Sequence, residues 1–478
     1  MPHLYLSAAH KSSGKTTLTL GLCRALRNRG LKVQAFKKGP DYIDPIWHGL
    51  AAGRPSYNLD FHMMREAEIE ALFARHAGEV DISLIEGNKG LYDGMDVEGS
   101  NSNAALAKLL NAPVLLVLDT IGMTRGIAPL ILGYKAFDPA VNIAGVILNK
   151  VGGPRHEDKL REVIARYTDV PVLGVVYKSE LMAIAERHLG LVPGNEAVEA
   201  DARVEAIAGL VAAQVDIDRL LEIANVVNPP FSKGGRGDLS SLSSGPDTAN
   251  PPHPPFAKGG GGLRIAYAHD RAFGFYYQED LDTLVDAGVD LVPLNTLQDT
   301  RLPDVDGLLL GGGFPEMFIE SLAANASLRA DIARQIEAGL PVYAECGGLM
   351  FLARSIRWGE KQGEMVGVLP GDVVMTDRPV GRGYAELEET ADAPWAAQSE
   401  TIPAHEFHYS HLENLPGDLN YAYRVKRGHG MGGQRDGYVY RNLLAAYCHR
   451  RGSGERGWIA PFLEKVRVYS RSLNRLAA

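Results

Sequence analysis

Three cysteines in 478 residues, Cys23, Cys346 and Cys448, are too few and too odd in number to frame a fold with disulfides. That argues against a disulfide-stapled secreted domain, and a reducing cytoplasm is the expected setting. Long apolar runs are missing too: no stretch of about 18 or more apolar residues occurs, which argues against a membrane-spanning helix. The first residues, Met1 to Gly14, lack the basic and apolar regions of a secretory leader. Nor is there a surplus of positive charge. The 49 Lys and Arg stand against 58 Asp and Glu, and the net charge of −9 argues against a general nucleic-acid-binding surface. What is present is a globular composition, 45% hydrophobic and 22% charged, in a chain too long for one hydrophobic core.

The pattern divides the chain into residues 1–224, 225–262 and 263–478. Residues 4–9 (LYLSAA) read as an apolar strand, followed by a small-residue loop and a helical pattern from Thr16 to Asn28. Further buried-strand candidates at 32–36, 82–86, 114–119, 143–149 and 172–176 alternate with helical patterns. This predicts an α/β fold, a doubly wound and mostly parallel sheet with helices on both faces. From 225 to 262 Pro, Gly and Ser take over, and PPFSKGGRG (229–237) is nearly repeated as PPFAKGGGG (254–262). That stretch is expected to be an inert tether. LRIAYAHD (263–270), a helix around 278–287 and strands at 291–293, 307–310 and 341–344 begin a second α/β unit.

AHKSSGKT (9–16) fits GxxxxGK[ST] except for alanine at the first glycine, and it lies between strand and helix as a phosphate loop must. Ser13, Gly14, Lys15, Thr16 and Thr17 are therefore expected to surround the phosphates of ATP. Backbone N–H groups cradle them, Lys15 adds charge, and the Thr16 hydroxyl faces magnesium. FKKGPDYIDP (36–45) and LIEGNKGLYDG (84–94) put Asp41, Asp44, Glu86 and Asp93 beyond the carboxyl ends of apolar strands, where open parallel sheets hold ligands. These acids are candidates for holding Mg2+ and for orienting a carboxylate substrate near the γ-phosphate.

PVYAECGG (341–348) reads as a strand breaking into a tight turn with Cys346 at its apex, as in a nucleophile elbow. The N–H of Gly347, with Gly312 and Gly313 from LLLGGGFPE (308–316), would stabilise an oxyanion. A cysteine nucleophile needs a base or an imidazolium partner. His449, where the apolar run of NLLAAYCHRR (442–451) ends, is the candidate, and Cys448 beside it reads as packing. HEFHYSH (405–411) lacks the HExxH spacing, and a helix would not put its three histidines on one narrow face, so it is not read as a metal site.

SSGKTT, FKKGPDYIDP, NLD (58–60), EGNKGLYDG, ERHLGLVP (186–193), AECGGLM, GRGYAE (381–386), HEFHYS and AAYCH together resemble the cobyrinic acid a,c-diamide synthase family, over nearly the whole chain outside the tether. The resemblance implies a phosphate-binding domain similar to dethiobiotin synthetase joined to a class I glutamine amidotransferase domain. It implies ATP, Mg2+ and glutamine as cosubstrates, and a reaction that phosphorylates the c and then the a acetate of cobyrinate before ammonia displaces each phosphate. By that resemblance Lys15 and Thr16 hold ATP, Asp41 and Glu86 hold magnesium, and Asp44 and Asp93 act around the acyl phosphate. Cys346 is the glutaminase nucleophile and His449 its activator. Class I amidotransferases commonly continue this histidine as HxE. Here Arg450 and Arg451 follow, so a simple Cys–His pair is implied.

AHKSSGKTT, Lys37 with Lys38, YNLDF and EGNKGLYDG followed by GSNSNAALA also look like relatives proposed to amidate sirohaem for dissimilatory sulfite reductase. The resemblance leaves the tetrapyrrole open between the two and is compatible with a homodimer. A partitioning-type P-loop ATPase is the alternative of another class. It would need its signature lysine where His10 stands, and it leaves the second half without a role.

Overall fold

The computed structural model of the chain describes residues 1–226 and 262–477, apart from 183, 185, 188–189, 192–193, 195–198 and 396–400. The expected tether, and most of the ERHLGLVP motif, lie outside the described residues. The chain forms two compact units, Met1–Pro252 and His253–Ala478.

The first unit is a seven-stranded sheet in the order β3-β2-β4-β1-β5-β6-β7, every neighbouring pair parallel. Its strands are β1 (His3–Ala8), β2 (Val33–Lys38), β3 (Tyr57–Leu59), β4 (Ile82–Glu86), β5 (Val114–Asp119), β6 (Ile143–Val151) and β7 (Val172–Tyr177). Between them run α1 (Lys15–Asn28), α2 (Ile43–Ala52), α3 (Glu66–Ala77), α4 (Asn103–Leu109), α5 (Ile127–Phe137) and α6 (Pro154–Tyr167). A short pair, β8 (Glu186–Arg187) and β9 (Gly190–Leu191), precedes α7 (Ala200–Gln214) and α8 (Ile217–Ile223). β1, β2 and β4 are buried along nearly their whole length because both of their faces are covered. Leu4, Leu6 and Ala8 of β1 join a core with Leu18, Leu22 and Leu26 of α1 and Val204, Ile207 and Val211 of α7. β1 sits at the point where the chain order reverses across the sheet. The loops leaving β1, β2 and β4 therefore open at one edge, at the crevice where such sheets bind ligands.

The second unit is built on a nine-stranded mixed sheet, in the order β12-β10-β13-β15-β24-β23-β22-β19-β20. Five parallel strands, β12 (Asp290–Leu294), β10 (Arg264–Ala268), β13 (Gly307–Leu310), β15 (Val342–Glu345) and β24 (Leu443–Ala446), continue into four antiparallel ones. These are β23 (Arg435–Tyr440), β22 (Asn420–Arg427), β19 (Gly381–Glu389) and β20 (Ile402–His408). A smaller sheet pairs β16 (Ala353–Trp358) with β17 (Lys361–Glu364) and β18 (Leu369–Met375), and β18 with β21 (Ser410–Glu413). β11 (Phe273–Phe275) pairs with β14 (Gly312–Gly313). The helices are α9 (Gln278–Asp286), α10 (Ile319–Ala324), α11 (Ala326–Glu337), α12 (Gly347–Leu352) and α13 (Ile459–Ala477).

The parallel strands stand where the apolar runs place them. The antiparallel half goes beyond those runs because its strands bury one face only: in GRGYAELEE it is Ala385 and Leu387 that enter the core between exposed or half-exposed neighbours. HEFHYSH is not helical. It supplies β20 and β21, whose two-residue period separates its three histidines.

Candidate active sites

Gly14 ends the phosphate loop with φ 90° and ψ 23°, a left-handed conformation natural to glycine. A Cβ there would stand 2.2 Å from Nδ2 of Asn149, which donates to the Ser13 carbonyl at 2.8 Å. The loop is further shaped by Ser13 Oγ, donating to the His10 carbonyl, and by Tyr134 Oη, donating to the Ala9 carbonyl. Lys15 opens α1 and is 7% exposed; burial lowers its pKa to about 8. Its Nζ donates to the Lys89 carbonyl at 2.7 Å, so the EGNKG loop after β4 comes over the phosphate loop. Asn103 fixes that loop, donating to the Asn88 and Gly90 carbonyls and accepting from the Asn88 N–H. Thr17 is half-buried in the first turn of α1.

Thr16 Oγ1 donates to Glu86 Oε1 at 2.6 Å and lies 3.3 Å from Asp44 Oδ2. Between these acids stands Lys37, from the end of β2, bonded to Asp44 and, at 2.8 Å, to Glu86. The other Glu86 oxygen meets Nε2 of the fully buried His48 at 2.6 Å. Burial alone would raise the Glu86 carboxyl, but Lys37 and His48 outweigh it and hold that carboxyl below its usual range. Asp44 moves the other way, to about 6, through burial and its neighbour Asp41. Asp41 stands beside the same lysine. One of its oxygens accepts the N–H groups of Ile43 and Asp44 at the start of α2, and the other is 4.0 Å from Lys37 Nζ. Asp93 accepts the Gly90 N–H at 3.0 Å and acts on Lys15 through its charge.

A hydroxyl and two carboxylates converging beside a phosphate loop are hard oxygen donors of the kind Mg2+ takes. Lys37 holds these acids together in a buried place, where an uncompensated charge is costly. Replacing it by methionine is expected to lower unfolding free energy by about 3–5 kcal/mol, measured by urea titration.

In the second unit β15 ends at Glu345 and α12 begins at Gly347. Cys346 joins them with φ 48° and ψ −103°, a conformation rare for a residue with a Cβ and the mark of a nucleophile elbow. Its N–H donates to the Ala446 carbonyl of β24 at 2.7 Å, and its side chain interacts with the His449 ring. Gly312, Gly313 and Gly347 crowd this point. A Cβ on Gly347 would lie 2.9 Å from the Gly313 nitrogen, and one on Gly312 would lie 2.8 Å from the His449 ring. The expected oxyanion donors are thus brought together around Cys346.

His449 is 3% exposed and paired through its backbone with His405, in both directions, at 3.0 and 2.7 Å. The two rings stack with centroids 4.9 Å apart. Burial would lower the pKa of His449, but hydrogen bonds to Cys346 and Glu345 outweigh it and push it up to about 10. Beside the implied Cys–His pair stands a carboxylate that the sequence reading did not include. His449 Nδ1 lies 3.2 Å from Oε2 of Glu345, the residue just before the nucleophile. A search for an acid after the histidine misses it; the signal lay in AECGG. Arg451, where HxE would carry its glutamate, is instead bonded through two nitrogens to Glu279 at 2.7 and 3.0 Å. Cys448 is fully buried, and burial, then Asp436 and Glu406, push its thiol well above the usual range.

Residues 8–192 match the family model described as the CobQ/CobB/MinD/ParA nucleotide binding domain, and residues 264–454 match the CobB/CobQ-like glutamine amidotransferase domain. The cobyrinate a,c-diamide synthase of Magnetococcus marinus is 44% identical over 97% of this chain and 97% of its own length. The chain belongs to the cobyrinate a,c-diamide synthase family. The family members of Archaeoglobus fulgidus and Listeria monocytogenes are each 40% identical, covering 98% and 94% of this chain and 98% and 96% of their own. As a member of this family the chain is an enzyme, a glutamine-hydrolysing carbon–nitrogen ligase with a nucleotide-binding domain. Both halves lie within the family match, and a partitioning ATPase accounts for only the first. No helix among the described residues is long and apolar enough to cross a membrane.

Proposed function

We propose that this chain amidates the a and c acetate carboxylates of cobyrinate, using ATP and either glutamine or ammonia. Its near full-length likeness to named cobyrinate a,c-diamide synthases carries the reading, and the two clusters described above supply groups suited to each half-reaction. In the first unit Lys15 and the loop N–H groups bind the ATP phosphates, and Lys15 offsets charge on the phosphoryl group as it passes to the substrate carboxylate. Thr16, Glu86 and the nearby Asp44 and Asp41 would hold Mg2+, which when bound neutralises phosphate charge. Asp44 and Asp93 orient the carboxylate as it becomes an acyl phosphate.

In the second unit Cys346 Sγ attacks the side-chain amide carbon of glutamine. Gly347, with Gly312 and Gly313, would donate to the oxygen of the tetrahedral intermediate. His449 gives its proton to the departing ammonia, and water then releases glutamate from the thioester. Ammonia attacks the acyl phosphate, phosphate leaves, and the amide remains.

Steady-state ADP formation with cobyrinate, sirohaem and UTP tests the reading. Cobyrinate is expected to stimulate ADP release in step with amide formation. Stimulation by sirohaem alone would move the same chemistry to that tetrapyrrole, and stimulation by UTP alone would remove the tetrapyrrole from the reaction.

A further inference from the structure

We infer that Glu345 is the positioning acid of the glutaminase site, fixing the tautomer and orientation of His449 from the strand side where other amidotransferases use a residue after the histidine. This rests on the glutaminase reading of Cys346 and His449. β15 and β24 are parallel neighbours with Glu345 in register with Ala446, three residues before His449. One strand therefore delivers both the nucleophile and the acid, and the other delivers the histidine. Glu345 is 8% exposed and its carboxylate is fully engaged. Oε1 accepts from Tyr343 Oη at 2.6 Å and from the Arg450 N–H at 2.9 Å, while Oε2 meets His449 Nδ1 at 3.2 Å.

Three donors on one carboxylate leave it a single orientation. Tyr343 is itself held by stacking on Trp458, with ring centroids 3.9 Å apart. With Nδ1–H committed to Glu345, the other ring nitrogen is left for Cys346. The loop beyond the histidine is anchored separately: Asp280 accepts the N–H groups of Gly452 and Ser453 at 2.8 and 3.0 Å, and Arg451 is paired with Glu279. The position after His449 that elsewhere carries the acid is thus used to hold the chain, and the acid comes from β15.

Glu345→Gln keeps the shape but puts an amide NH2 where only acceptors fit. Facing His449 it opposes Nδ1–H; flipped, it opposes the Arg450 N–H. Loss of the correct tautomer is expected to lower kcat for glutamine hydrolysis by about 10²- to 10⁴-fold with little change in KM. Because the negative charge that helps hold His449 protonated is gone, the alkaline limb of the kcat profile should move to lower pH. Alkylation of Cys346 by iodoacetamide at pH 7, followed at the Cys346 peptide by mass spectrometry, should slow at least about tenfold.

Wild-type kcat, or a reduced kcat with an unmoved alkaline limb and unchanged alkylation, overturns the inference, since the carboxylate would then only support the fold. If Glu345→Gln does not fold, Tyr343→Phe decides. It keeps the ring and the charge but takes from Oε1 of Glu345 one of its two donors, leaving only the Arg450 N–H, so a fall in kcat with slower alkylation of Cys346 is expected and unchanged kinetics overturns the inference. The alkylation arm needs no substrate. A wild-type chain that releases no glutamate from glutamine would therefore count against the glutaminase reading while still leaving Glu345 testable.

Discussion

Cys346→Ala is expected to lose glutamine-dependent amidation by several orders of magnitude, as removal of a covalent nucleophile does, and to retain amidation with high ammonium at mildly alkaline pH. Cys346 and the phosphate loop belong to different compact units, so free ammonia supplies what the cysteine would have released. His449→Ala should follow the same pattern with a smaller loss, because an unassisted thiol still forms some thiolate near neutral pH. Measuring amide formation with glutamine and with ammonium chloride in parallel separates the outcomes. Full glutamine-dependent activity in Cys346→Ala would refute the nucleophile. Loss of the ammonium reaction in a well-folded variant would assign Cys346 to the synthetase chemistry.

The second large effect is at the other unit. Lys15→Ala should abolish amidation with either nitrogen source, while glutamine hydrolysis partly survives. Lys15 is a largely buried ammonium, its pKa lowered to about 8 by burial, and it gains from a phosphate placed against it as no exposed lysine would. Removing such a group from a phosphoryl-transfer site costs transition-state stabilisation that no other residue of the loop supplies. Unchanged ammonium-dependent amidation in this variant would take the phosphate loop out of the reaction.

Much of both sites could be read before folding because each is announced by a strand that stops. β1 stops at the loop that leads into Gly-Lys-Thr, β4 at Glu86, β15 just before Cys346, and the apolar run of β24 leads directly to His449. Such local signals survive in one dimension. What stayed hidden depends on neighbours in the sheet. Glu345 becomes the partner of His449 only because β15 lies beside β24, although the two residues are 104 positions apart. Lys37 was visible as half of a double lysine, but its place among Asp44, Glu86 and Asp41 requires β2 beside β4. Asn149 and His48 act through contacts with the phosphate loop and Glu86 that no spacing along the chain announces.

The backbone at Cys346 also bears on how this enzyme is engineered. A φ of 48° with ψ of −103° is tolerated by glycine and resisted by residues with a Cβ, at a cost of order 1–3 kcal/mol. The working residue is therefore the less comfortable occupant of its own position, and glycine there would relax the turn while ending glutamine chemistry. A library sorted by heat resistance alone would enrich for glycine at the elbow and hand back robust, inactive protein. Selection for durability in this chain has to be coupled to a readout of ammonia release.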